Sequence, residues 1–190
     1  MTEPEQAQEK SERKYRYPAQ PPRPRRYLLI HKPYDVLSEF SDAEGRPTLA
    51  AFVPVTGLEP AGRLDQDSEG LLLLTDDGEL AHQLTHPSYH VPKTFLVQVE
   101  GAPGKDALDK LRRGVLVKGE TTAAAEVDLL ERAPDLAERQ PPVRSDVETA
   151  WLRLVIREGK KRQIRHMTAA IGHPTLRLVR VAIGPLTLRG

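Results

Sequence analysis

The chain reads as an α+β protein built on a mixed, mainly antiparallel sheet. Apolar alternation marks more strands than helices, the two do not succeed one another regularly, and no segment repeats. At 190 residues the chain suits one ordinary domain with a sizeable core, and a second independent unit would be cramped. That domain is expected over residues 27–190, because residues 1–26 carry five prolines and almost no aliphatic side chains. Such a composition buries too little apolar surface to offset ordering entropy and predicts a disordered, basic tail.

From Tyr27 the elements follow in order. "YLLIHKP" (27–33) predicts a strand, "TLAAFV" (48–53) a short helical piece, and "LLLLT" (71–75) a buried strand ending at the Asp76-Asp77-Gly78 turn. "ELAHQLTH" (79–86) predicts a helix with Asp77 as its N-cap and Pro87 as its stop. "KTFLVQVE" (93–100) alternates as a strand, and "KDALDKLRR" (105–113) makes a helix closed by Gly114. "VLVK" (115–118), "AAAEVDLLE" (123–131) and "AWLRLVIRE" (150–158) supply further strands. In "KRQIRHMTAAIG" (161–172), Ile164, Met167 and Ile171 share one helical stripe, and Arg162, Arg165 and His166 another. "PTLRLVRVAIGPLTLRG" (174–190) predicts two short strands around a Gly-Pro turn.

The net charge of +1 sums unlike parts. Residues 1–26 hold seven Lys or Arg against four Glu, and residues 151–190 hold nine against one, which leaves the middle acidic. A basic face on an otherwise acidic body suits a polyanion, although a solvated basic surface has the same count. In the tail, "RKYRYPAQPPRPRR" (13–26) is purely basic with Tyr15 and Tyr17 interleaved, an arm able to follow a phosphate backbone and stack on bases. There is no cysteine, which excludes disulfides and thiolate metal sites. The start "MTEPEQAQEK" lacks signal-peptide order and no apolar run is long enough to cross a bilayer, so a cytoplasmic protein without a membrane partner is expected.

The stretch "AGRLDQDSEGLLLLTDDG" (61–78) sets Asp65 and Asp67 beside Arg63 and just before four leucines. As a calcium loop, Asp65, Asp67, Glu69, Gly70 and Asp76 fall at positions 1, 3, 5, 6 and 12 of an EF-hand, but positions 5 and 12 carry the wrong acids and the leucines look like core strand. As a magnesium site, Asp-x-Asp lacks a glycine-rich phosphate cradle nearby. His82, His86 and His90 recur every fourth residue, yet Pro87 breaks the helix that would align them. What remains is a carboxylate nucleophile in a dry site. A buried carboxylate keeps its charge only beside a cation, and Arg162 and Arg165 are the candidates, near the positive end of their helix.

Four segments in order resemble the RsuA-like pseudouridine synthases: "HKPYDVL" (31–37), "GRLDQDSEGLLLLTDDG" (62–78), "KTFLVQVEG" (93–101) and "EGKKRQIRHMTAAIGHPTLRLVRVAIG" (158–184). The resemblance implies the pseudouridine synthase fold and isomerisation of a uridine in ribosomal RNA of the large subunit, by a monomer needing no cofactor and no metal. The basic tail stands where many relatives carry an S4-type RNA-binding domain. Asp65 matches the aspartate that attacks the uridine, at the base or at the anomeric carbon. Arg165 matches the basic residue that pairs with it, and Arg162 lies close by as a substrate-binding residue. Arg63 matches a residue that fills the gap left by the extruded base, Leu178 the aliphatic residue packing on the target ring, and Asp67 a residue ordering the turn. Phe95 stands where the family has Tyr, so a stacking plane remains and the phenol is gone, unless Tyr89 or water substitutes for it. Alone, Asp65 would be a turn-former, Phe95 a core aromatic and Arg165 a solvated helix arginine; their joint occurrence lifts each. The rivals are a catalytically silent RNA-binding or ribosome-assembly module, suggested by Phe95, and a metal-dependent hydrolase built on Asp65 and Asp67.

Overall fold

Strand β3 (Glu69–Thr75), the leucine run, is the seam on which the fold is assembled, and every residue in it is buried. It pairs antiparallel with β1 (Tyr27–Lys32) and the short β2 (Glu59–Pro60), and parallel with β9 (Thr175–Ile183). From β9 the sheet runs through β4 (Lys93–Glu100) and β8 (Thr149–Ile156) to β7 (Glu126–Leu129), with β10 (Leu186–Thr187) on β9, giving eight strands. A separate hairpin joins β5 (Leu116–Val117) to β6 (Glu120–Thr121). The helices are α1 (Gly78–Thr85), α2 (Lys105–Arg113) and α3 (Gln163–Ala170). This is a computed structural model that describes residues 23–188; Tyr15, Tyr17 and most of the expected tail lie outside the described residues.

Four consecutive leucines belong in one strand because both faces of β3 are covered. Leu72 and Leu74 pack with Val36, Leu49, Val53 and Leu58, while Leu71 and Leu73 pack with Ala61, Leu84 and Ile183. Each such leucine contributes about 2 kcal/mol of burial. The third core lies across the sheet, where Phe95, Val97 and Val99 of β4 and Leu152 and Leu154 of β8 meet Leu108 and Leu111 of α2 and Ile164 and Met167 of α3. The expected α+β class and mainly antiparallel sheet are thus found, β3–β9 being the parallel pair.

Helix termini follow the local chemistry. Asp77 caps α1 by accepting from the Leu80 amide at 3.1 Å, and Pro87 ends it by opening a short 3-10 turn. Lys110, Arg112 and Arg113 occupy the last turn of α2, where the helix dipole favours cations, and Gly114 closes it with φ 97°. Two expectations are corrected. The piece at 48–53 reduces to a 3-10 turn over Leu49–Ala51. The carboxy-terminal segment does form two strands around the Gly184-Pro185 turn, the first extended to nine residues by neighbours on both edges. Helix α3 starts at Gln163, since Arg162 takes a left-handed backbone at φ 56°.

The junction of β3 with β9 is tight. Gly70 stands opposite Arg180 at φ 103°, and a Cβ there would collide with the Arg180 carbonyl. Next to it, Glu69 accepts a bidentate pair from Arg177 at 2.9 and 2.8 Å, both side chains buried, and Arg177 also donates to Ala137 O at 2.9 Å. Gly70→Ala is therefore expected to lose about 2–4 kcal/mol of unfolding free energy through left-handed strain and overpacking. Urea unfolding of the variant beside wild type measures it, and an unchanged midpoint would contradict the close approach.

Candidate active site

Asp65 sits on the loop between β2 and β3, and its neighbours are fixed by contacts from distant parts of the chain. The Ser38 hydroxyl donates to Leu64 O at 2.8 Å and accepts from Leu64 N at 3.0 Å, holding the residue before Asp65 on both backbone groups. Lys32, fully buried at the end of β1, donates to Gln66 O at 3.2 Å as well as to Pro33 O at 2.9 Å and Val36 O at 2.6 Å. Ser68 N closes the turn on Asp65 O at 3.0 Å, and the Gln66 amide donates to Asp35 at 2.6 Å. Burial lowers the Lys32 pKa to about 8, opposed first by Glu69 and then by Asp67, Asp35 and Asp65. A cation thus lies beneath the loop within reach of the Asp65 field.

Arg162, just before α3, and Arg165, within it, both reach this loop, but their direct partner is Asp67. Arg162 forks onto it with two hydrogen bonds of 2.9 Å. Arg165 Nε lies 3.3 Å from Asp67 Oδ2, and its Nη2 donates to Asp67 O at 2.7 Å. The expected Arg165–Asp65 ion pair is therefore corrected: among the described residues the Asp65 carboxylate has no ion-pair or hydrogen-bond partner. Asp67 turns toward α3 and Asp65 toward the open cleft, as residues two apart on this turned loop separate. Burial alone raises the Asp67 pKa, yet the Arg162 hydrogen bonds and the Arg165 charge outweigh it and hold the pKa below 3.8. Burial lowers the Arg165 pKa, opposed by Asp67 and, more weakly, by Asp65. Asp65 thus feels Arg165 through space. With Asp67 occupied by two guanidiniums, the Asp65/Asp67 pair is not arranged to share a cation.

The cleft over Asp65 holds about 510 Å³. Phe95 of β4 and Leu178 of β9, both nearly buried, form its apolar wall, while Arg63 and Arg162 line its rim. Arg63 is exposed and pairs with Glu39 at 3.1 Å. Of the expected site residues, the cleft brings together Asp65, Phe95, Leu178, Arg63 and Arg162; Arg165 braces the loop from behind. Tyr89 is elsewhere: its ring lies edge-on to His82 and His86, with centroids 5.8 and 6.3 Å away, and it does not line the cleft. It supplies no phenol to this site. Among the described residues no group of three His, Cys, Asp or Glu side chains converges as metal ligands.

Sequence inspection missed several participants. Ser38 and Lys32 lay within or beside "HKPYDVL" but carried no reactive signature, and Arg180 and Lys93, which line the cleft, look like ordinary strand cations. Gln163 is another: it accepts from Lys160 N at 3.0 Å and donates to Glu158, folding the segment that presents Arg162. Only the pairing of β4 with β9 and the packing of α3 bring them to one place.

Residues 26–170 match the RNA pseudouridylate synthase family. The chain is 53% identical over 167 residues to ribosomal large subunit pseudouridine synthase E of Vibrio vulnificus, covering 87% of this chain and 71% of that one. It is 56% identical over 161 residues to the protein of the same name from Xanthomonas axonopodis pv. citri, covering 83% and 85%. A crystal structure of a pseudouridylate synthase superposes with a TM-score of 0.73 at 30% identity, over 87% of this chain and 66% of that one. With the family match spanning most of the chain and a cleft built on the "RLD" loop, this protein belongs to the RNA pseudouridylate synthase family.

Proposed function

We propose that this chain converts a uridine of large-subunit ribosomal RNA to pseudouridine, with Asp65 as the nucleophile. The observation that carries this reading is a carboxylate without a partner among the described residues, facing a cleft with one apolar wall, on a loop immobilised from three sides. Relatives named as large-subunit synthases support the substrate class. A uridine inside structured RNA has to leave its stack, at a cost of a few kcal/mol. Arg63 at the rim then fills the space it vacates, and the wall of Phe95 and Leu178 takes one face of the ring. Asp65 attacks at the base or the anomeric carbon and the N1–C1′ bond breaks; the base turns, C5 bonds to C1′ as the bond to Asp65 is broken, and C5 loses its proton while N1 gains one. Phe95 gives a stacking face and no proton acceptor, so the C5 proton goes to Asp65 or water. Every group named comes from one chain, in keeping with a monomer, and a ribosomal RNA substrate implies a cytoplasmic site of action. A silent RNA-binding module is the reading that the missing phenol favours, and turnover separates the two.

Asp65→Asn is expected to abolish conversion while RNA affinity stays within about twofold, because charge and not shape is removed. Conversion of a ribosomal RNA fragment by the purified full chain measures it, and retained turnover would remove Asp65 from the chemistry.

Arg162 and Arg165 act through Asp67 as positioning residues. Asp67→Asn is expected to lower stability by about 1–3 kcal/mol and to slow conversion. Because the folded pKa of Asp67 lies below its ordinary 3.8, its contribution is present above that pH and lost as pH falls through the folded value. The stability gap between wild type and variant should thus narrow on acidification in thermal melts; a gap constant with pH would contradict the ion pair.

The arm over residues 1–26 serves as a phosphate contact in this reading, supported by its basic excess and by the anchoring of Arg26 to Asp76 at 2.8 and 2.9 Å where the domain begins. Deleting residues 1–22 should weaken RNA binding and flatten its dependence on salt. An unchanged slope would exclude the arm from the interface.

A further inference from the structure

Two cations that line the cleft have fewer partners among the described residues than Lys32 or Arg177. Arg180, in the middle of β9, is 4% exposed; its Nε donates to Leu71 O at 2.9 Å, while its Nη2 is buried with no acceptor among the described residues. Lys93, half-buried at the start of β4, donates to Val91 O at 3.2 Å. Among the described residues neither has a carboxylate within ion-pair distance. They sit instead in each other's field: burial and then Arg180 lower the Lys93 pKa, and burial brings Arg180 down to about 10. The other buried cations differ. Lys32 reaches three carbonyls and Arg177 grips Glu69 and Ala137. A fold that satisfies those groups leaves one guanidinium nitrogen of Arg180 without an acceptor, in a residue that lines the cleft.

Their placement decides what fits there. Arg180 lies directly across from Phe95 in the β4–β9 pairing, and Lys93 precedes Phe95 by two residues on a strand of period two. Lys93, Phe95, Arg180 and Leu178 therefore share the sheet face that lines the cleft. A ring stacked on Phe95 turns its edge toward both cations. Phosphates stay with the ribose chain at the mouth, near Lys160 and Lys161, so a base and not a phosphate reaches the floor.

We propose that Arg180 and Lys93 bind the carbonyl edge of the extruded uracil and hold the negative charge that forms on it when it detaches. This rests on the isomerase reading above. As the N1–C1′ bond breaks, its electron pair leaves with N1 and spreads onto O2 and O4, where donor groups held in a dry site stabilise it. The same pair is used when C5 bonds to C1′; C5 then releases its proton and N1 gains one, so the ring ends neutral. Guanidinium and ammonium donate and cannot accept, which also disfavours cytosine, whose exocyclic amine replaces O4.

The test uses the full chain and a ribosomal RNA fragment in which wild type has mapped the target, with two versions of that RNA, uridine and abasic at that position. Absence of wild-type conversion overturns the isomerase reading and this one with it. With wild type active, Lys93→Met and Arg180→Met are each expected to slow single-turnover conversion about 10²-fold. Both should weaken binding of the uridine RNA and leave binding of the abasic RNA unchanged, with Arg180→Lys recovering part of the rate. Conversion within about twofold of wild type for both methionine variants, or equal loss of affinity for the two RNAs, overturns the proposal, the second by pointing to a phosphate contact. If Arg180→Met does not fold, Lys93→Met carries the test alone, since its ammonium is only half-buried and leaves no paired charge behind.

Discussion

The clasp of Asp67 by Arg162 and Arg165 joins two parts of the chain nearly a hundred residues apart, and the candidate site exists because of it. The loop at 63–68 is short of apolar anchors of its own: Leu64 is buried, but Asp65, Gln66 and Asp67 are polar and half-buried. Without external restraint such a loop would sample many conformations. Charge-assisted bonds to a guanidinium are stronger and more directional than neutral ones, and those from Arg162 before α3 and Arg165 in its first turn fix both the side chain and the backbone oxygen of Asp67. Arg162 adopts a left-handed backbone to make its fork, a conformation that non-glycine residues hold only when the surroundings compel it. Strain is thus located where the loop and helix meet.

This arrangement separates two tasks that one carboxylate cannot do together. A carboxylate neutralised by bidentate arginine is stable but spent as a nucleophile, because its lone pairs are already engaged. Asp67 takes that structural task, with its pKa held low, and leaves Asp65 with free lone pairs. The charge of Asp65 is still supported, at longer range, by Lys32 below and the arginines behind, all of which respond to it. Cations held at longer range leave the oxygens of Asp65 unoccupied.

Much of this was legible in the sequence. Alternation placed β1, β4 and β8 and the buried leucines of β3, the helix signals placed α1 and α2 with their caps, and four ordered segments identified the family. Asp65, Phe95 and Leu178, each singled out in the sequence, line one cleft. The partner of Arg165 was not legible, because Asp65 and Asp67 stand two residues apart and only the fold of the turn decides which faces α3. Nor were Ser38, Lys32 and Arg180, whose interest lies in backbone oxygens and missing acceptors that no side-chain pattern encodes. The strand β9 was expected before the Gly-Pro turn but not its nine-residue length, which comes from two flanking strands, a tertiary effect that local propensity does not contain.

The sheet register ties these elements into one device. Gly70 lets β3 approach β9 so closely that Arg180 is pressed beneath the cleft, and Glu69 beside it binds Arg177 from the same strand. Arg177 and Arg180 are three residues apart on β9, where side chains of odd spacing leave opposite faces. One arginine is therefore consumed in clamping the strands, and its neighbour is delivered to the other face, where among the described residues no carboxylate pairs with it. Burying a charge is costly unless it is paired, and the sheet sets the Phe95 plane beside this one, so an electron-rich ring stacked there would offset part of that cost.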